Sequence, residues 1–101
     1  MPKEFRDYTE RLVTPGCFIL YATSQGSSSV QLHAGKVLSL EPPGSNYDRW
    51  RIKIAAVDRW KKGKAYRATL SPYAGGPGCC IVIVEPQNVP KKYMDILDKE
   101  N

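Results

Sequence analysis

A nucleophilic or metal-assisted mechanism in this chain would have to be built from one histidine, His33, and three cysteines, Cys17, Cys79 and Cys80. A Cys/His or Ser/His mechanism needs a base within hydrogen-bond reach of its nucleophile. The lone imidazole has no obvious partner, and no carboxylates stand at an informative spacing. The cysteines share no repeated spacing, and neighbours on a strand project to opposite faces, so Cys79 and Cys80 are poorly placed to hold one metal ion together. They read as small buried hydrophobes of a reducing compartment. The segment AGGPG (74–78) is glycine-rich, but it precedes a strand instead of opening a helix and lacks the G-K-[ST] ending of a phosphate cradle. No catalytic residue, metal, cofactor or small-molecule substrate is expected.

The chemistry that stands out is charge. Of the fifteen Lys and Arg residues, eight fall between Arg49 and Arg67 against Asp58 alone, a local charge of +7 in a chain whose net charge is +5. Trp50, Ile52 and Ile54 alternate with Arg49, Arg51 and Lys53, the period of two that sends aromatic and branched groups inward and cations outward. KKGK (61–64) has the makings of a hairpin turn, with Gly63 free to take a positive φ. In the returning segment AYRATL (65–70), Tyr66, Ala68 and Leu70 face inward and Arg67 joins the cationic side. The candidate basic face is thus Arg49, Arg51, Lys53, Lys61, Lys62, Lys64 and Arg67. Trp60, Tyr66 and Tyr73 are the candidate aromatic contacts.

These residues need a scaffold. The 101 residues suffice for one domain, which should bury about 60 to 70% of its extended surface. A composition of 42% hydrophobic and 25% charged residues excludes wholesale disorder. The longest apolar runs, CFILYA (17–22) and CCIVIV (79–84), are six residues each, against about 18 for a membrane span. MPKEFRDYTERL lacks the apolar core of a secretory signal. No membrane partner is expected, and the compartment expected is the cytoplasm.

Turn-forming clusters punctuate short apolar segments at the spacing of strands. TPG (14–16) opens a first strand, CFILYA. SQGSSS (24–29) is a polar loop, and VQLHAGKVLSL carries a second strand with a bulge expected near Gly35. EPPGSN (41–46) leads into the basic strand, where Ala55 and Ala56 blur the alternation. SPYAGGPG (71–78) is a loop, and CCIVIVEP is a strand whose unbroken apolar character predicts burial on both faces. Asn88 as N-cap and Pro90 in the first turn predict a short closing helix with Val89, Tyr93 and Ile96 or Leu97 on its apolar stripe. FRDYTERLV fits either a helical turn or an extended arm.

Five short strands in about 70 residues, with a hairpin in the middle, predict an all-β fold, a small closed or nearly closed five-stranded barrel with a short C-terminal helix. The run PGCFILYATSQGSSSVQLHAGKVLSL, then RWRIKIAAVD, then CIVIVEP, resembles the SH3-like barrel of KOW type, with its PG-led first strand, G-K-V segment and terminal V-x-V strand. It is similar in particular to small uncharacterised proteins of actinobacterial bacteriophages. The resemblance covers residues 14–86, leaving 1–13 as an N-terminal arm or helical turn and 87–101 as the helix and tail. It implies a binding module in a host cytoplasm, since barrels of this type serve RNA or hold proteins together.

Two functions compete for the cations. A protein-interaction module would steer onto an acidic host protein and anchor through Trp60 or Tyr73. A nucleic-acid-binding barrel would track phosphates and stack bases on Trp60, Tyr66 or Tyr73. An isolated apolar knob among charges favours the first; a flat aromatic surface lining a cationic groove favours the second. Nothing in the sequence sets an oligomeric state.

Overall fold

The computed structural model describes residues 4–25, 29–44, 48–57, 64–76 and 79–99. The alternating and apolar segments become strands β1 (Phe5–Arg6), β2 (Leu12–Val13), β3 (Phe18–Gln25), β4 (Ser29–Glu41), β5 (Arg51–Val57), β6 (Ala65–Leu70) and β7 (Ile81–Val84), followed by helix α1 (Lys91–Leu97). Strands β3 to β7 form one five-stranded antiparallel sheet in the order β6-β5-β4-β3-β7, and β1 and β2 form a separate two-stranded hairpin. No helix among the described residues is long and apolar enough to cross a membrane.

The sheet buries both faces, which explains why Ala55 and Ala56 blur the alternation. Ile52, Ile54 and Ala56 point into the main core with Ile19, Tyr21, Val37, Trp50 and Ile81. Ala55 and Val57 point the other way, into a second cluster with Ala34 and the fully buried Leu97, flanked by Tyr93 and Ile96 of α1. Small side chains at 55 and 56 let the helix approach one face while a large ring crosses the other, so β5 runs through Val57 without a bulge. The inward parity of Trp50 holds: its ring meets Phe5 edge-on at 5.4 Å.

Closure is where the fold departs from the expected barrel. The sheet is open, with β6 and β7 as its two edges and no pairing between them. The apolar face that closure would seal is covered by the N-terminal hairpin, whose Phe5 and Val13 are both buried in the main core. The 71–76 loop also lies on that hairpin: a Cβ at Gly75 would stand 2.3 Å from the Arg6 carbonyl oxygen, so only glycine fits. The segment expected as an arm or helical turn is therefore a core-covering hairpin.

Three smaller expectations change. The bulge in β4 falls at Leu38, between Val37 and Ser39, and not near Gly35. At Gly35 the strand is regular, but a Cβ would sit 3.1 Å from the Ala55 carbonyl oxygen and 3.4 Å from the Tyr21 ring, so the missing side chain seats that ring. Strand β7 is an edge with only Ile81 buried and Val82 to Val84 half-buried. At the C-terminus the helix begins after Pro90, which caps without a side-chain bond, and Asn88 ends a single 3-10 turn over Pro86–Asn88. Residues 61–63 of the predicted KKGK turn lie outside the described residues.

Candidate interaction surface

Register decides which cations share a surface. In β5, Arg51 and Lys53 have the parity of Ala55 and Val57, so they stand on the face that carries α1, beyond the end the helix covers. Arg67 is opposite Ala55 and Thr69 is opposite Lys53, which puts both on the same face. On the other side of Ala55 stands Lys36 of β4. Lys36, Lys53 and Arg67 thus form a triangle around Ala55, with Lys36 and Arg67 about 10 Å apart, two strand spacings. A shallow groove of about 350 Å³ lies along its Lys53 and Arg67 side, lined also by Ser39 and Thr69 and by the apolar Leu38, Ile54 and Ala68.

Lys36 was not among the residues singled out from the sequence, because it lies outside the 49–67 stretch. Its signal is the parity shared with Ala34, and only the pairing with β5 reveals its neighbours. Its ammonium also lies 5.9 Å from the Phe18 ring centre. Arg51 contributes less positive field than the sequence suggests, since its guanidinium is bridged to Glu41 at 3.1 Å.

The remaining candidates scatter. Arg49 leaves the strand and lies over the exposed Tyr73 ring, with its Cζ 4.0 Å from the ring centre and Nη2 against the hydroxyl. A backbone bond from Trp50 N–H to the Pro72 carbonyl, 2.9 Å, holds the two segments together. Lys64 is exposed at the start of β6. Tyr66 pairs with Ala56 and so lies on the opposite face from Lys53 and Arg67, 41% exposed at the border of the main core. Trp60, Lys61 and Lys62 lie outside the described residues. Among the described residues, no aromatic ring lines the cationic groove.

The open side between β6 and β7 holds a different environment. Tyr21 reaches from β3 across Gly35 and stacks beside His33 with ring centres 5.2 Å apart. His33 Nε2 bonds the Thr23 hydroxyl at 2.8 Å. The Tyr21 hydroxyl is buried and, among the described residues, forms no well-aligned hydrogen bond, although the Tyr66 phenol lies close to it. Burial pushes its pKa well above the ordinary phenol range, and the neighbouring Tyr66 phenol adds to the shift. It is a neutral donor at any physiological pH. A cavity of about 460 Å³ lies beside it, lined by Tyr21, Leu70, Tyr73, Cys79, Cys80 and Ile81 among others. Among the described residues no three His, Cys, Asp or Glu side chains converge as a metal site would require.

Comparison with protein-family models, curated proteins and solved structures gives no match. The site has to be argued from its own geometry.

Proposed function

We propose that the chain is a small non-enzymatic docking module that receives an acidic protein surface on the patch formed by Lys36, Lys53 and Arg67. The observation that carries this reading is that, among the described residues, no aromatic ring lines the groove at Lys53 and Arg67. A barrel that holds single-stranded nucleic acid interleaves the two along one groove, so that phosphates are neutralised while bases stack. Here the groove bears Lys53, Arg67, Ser39 and Thr69 beside the apolar Leu38, Ile54 and Ala68, Tyr66 is on the far face, and the exposed Tyr73 stands apart with Arg49 over one face of its ring. Charge of this kind, without a stacking platform, suits steering onto an acidic protein.

The strand order, with the last strand returning beside the first and a long bulged second strand, supports reading the sheet as an opened relative of the SH3-like barrel. On the resemblance to bacteriophage proteins, the partner would be a host protein. The test is a salt series of fluorescence-anisotropy titrations against labelled single- and double-stranded DNA and RNA and against a labelled polyglutamate peptide. The docking reading expects binding to the acidic peptide that a Lys53→Glu/Arg67→Glu double variant abolishes, with weak or no binding to nucleic acid. Nucleic-acid binding at micromolar or better, falling linearly with log salt and lost in the same variant, would replace it with the nucleic-acid reading.

A further inference from the structure

The two edges of the sheet are treated differently, and the backbone shows how. Ala22 N–H bonds the Cys80 carbonyl, 3.2 Å, which fixes the alternation along β3 and β7. Every second residue of β7 then turns its backbone groups toward β3, and Ile81 and Ile83 turn theirs outward. The N-terminal hairpin meets both: Tyr8 N–H bonds the Ile81 carbonyl at 2.8 Å, and the Asp7 carboxylate accepts the Ile83 N–H at 2.7 Å. This edge is closed to further strands.

The same argument applied to β6 gives the opposite result. Trp50 N–H bonds the Pro72 carbonyl, so in the register that pairs Ile52 with Leu70, residues 66, 68 and 70 bond β5. Ala65, Arg67 and Thr69 turn their backbone groups outward. The outward groups of Ala65 and Thr69 meet no partner among the described residues, and β6 ends the sheet. An edge of this length is a template for a partner strand. Cations on such an edge discourage pairing with a second copy of the same chain, and here Lys64 and Arg67 supply them.

We propose that β6 accepts an extended segment of the partner protein as a sixth strand, and that this segment alternates acidic with apolar residues. The alternation follows from parity. On the Arg67/Thr69 face an added side chain would stand beside the cationic patch and gain from a carboxylate. On the Tyr66/Ala68/Leu70 face it would extend the main core, next to the cavity at Leu70. About five or six residues would span β6. The inference rests on the docking reading and adds its mode: the patch chooses the partner by charge, and the strand edge fixes it by backbone hydrogen bonds.

The probe is a labelled peptide of alternating Glu and Val, titrated by anisotropy and followed by amide hydrogen exchange on the full chain. Two variants isolate the edge. Thr69→Pro and Ala65→Pro each remove an outward N–H that β5 does not use, a change edge strands tolerate. Binding is expected to weaken by about tenfold in each, the worth of one or two hydrogen bonds, while the thermal midpoint stays close to that of the parent. The Thr69 and Ala65 amides of the parent chain should slow their exchange when the peptide is bound, and a peptide of alternating Lys and Val should not bind. If both proline variants fold and bind the Glu/Val peptide as tightly as the parent while Lys53→Glu/Arg67→Glu abolishes binding, the strand addition is wrong and the docking reading stands. If the parent binds polyglutamate but not the Glu/Val peptide, the result is the same. If it binds neither, both ideas fall. Concentration-dependent association of the chain alone that Thr69→Pro removes would identify a second copy as the occupant instead, and overturn the proposal.

Discussion

Four donors converge on the Asp7 carboxylate: the Thr9 N–H and hydroxyl and the Arg11 N–H on Oδ1, and the Ile83 N–H on Oδ2. The residue is fully buried. Burial alone would push its pKa up, but the hydrogen bonds together outweigh it and hold the carboxyl below the ordinary aspartate range. Because the folded-state pKa is lower than the unfolded one, the stabilisation is complete above about pH 4 and is lost as pH falls through the depressed value. Asp7→Ala leaves buried donors without an acceptor and is expected to cost about 3 kcal/mol at neutral pH by urea denaturation. The gap between parent and variant should narrow steadily below pH 4; a gap unchanged down to pH 2 would refute the ionised role. The cysteines divide as well. Cys79 is buried, and desolvation pushes its thiol up despite the bond to the Ile81 carbonyl, whereas Cys80 is exposed. The expectation that all three are buried therefore holds only at Cys79, since Cys17 is half-buried and Cys80 is exposed. Brief treatment with iodoacetamide followed by peptide mapping should find Cys80 modified first and Cys79 last.

At the scale of elements, the strands with clear periodicity were legible and their special positions were not. AYRATL is a strand over the predicted residues, and the parity that set Arg51, Lys53 and Arg67 against Ile52, Ile54 and Ala68 is the observed one. Alternation is a local property, so a single sequence carries it. Gly35 shows the opposite case. A glycine inside a strand pattern signals either a bulge or a close approach, and the choice depends on what crosses it from another strand. Here the Tyr21 ring lies against it, and Ala56, its partner on β5, is also small. Gly35→Val would drive a branched side chain into the Ala55 carbonyl, the Ile54 side chain and that ring. A loss of about 2 kcal/mol is expected from denaturant titration, in the range of overpacked cores, with Gly35→Ala costing less. A valine variant as stable as the parent would mean that Tyr21 can turn aside without cost. Lys36 belongs to the same lesson, since its place in the cationic triangle comes from pairing and not from spacing.

For the molecule as a whole, the sequence pointed to five strands and a short helix but placed the seal of the core inside residues 14–86. The structure places much of it in residues 5–13, and the reason this was illegible is physical. Strands of two residues have no periodicity, and the hairpin is held by a buried carboxylate reaching Ile83, seventy-six residues away. A long-range polar bond of that kind leaves no local pattern. The consequence is that the barrel-like segment should not stand alone. Deleting residues 1–13 removes Phe5 and Val13 from the core, together worth about 3 to 6 kcal/mol of burial, along with the Asp7 bonds. A loss of that size rivals the roughly 5 to 15 kcal/mol that keeps a small domain folded. It would also bare the Ile81 and Ile83 backbone groups and give the sheet a second open edge, this one apolar and uncharged, which favours aggregation. The 14–101 fragment is therefore expected to give a collapsed amide spectrum and no cooperative thermal transition. If it folds with dispersed resonances and a midpoint near that of the full chain, then the hairpin is an appendage, and sheet closure, not the N-terminal cover, must seal the core in solution.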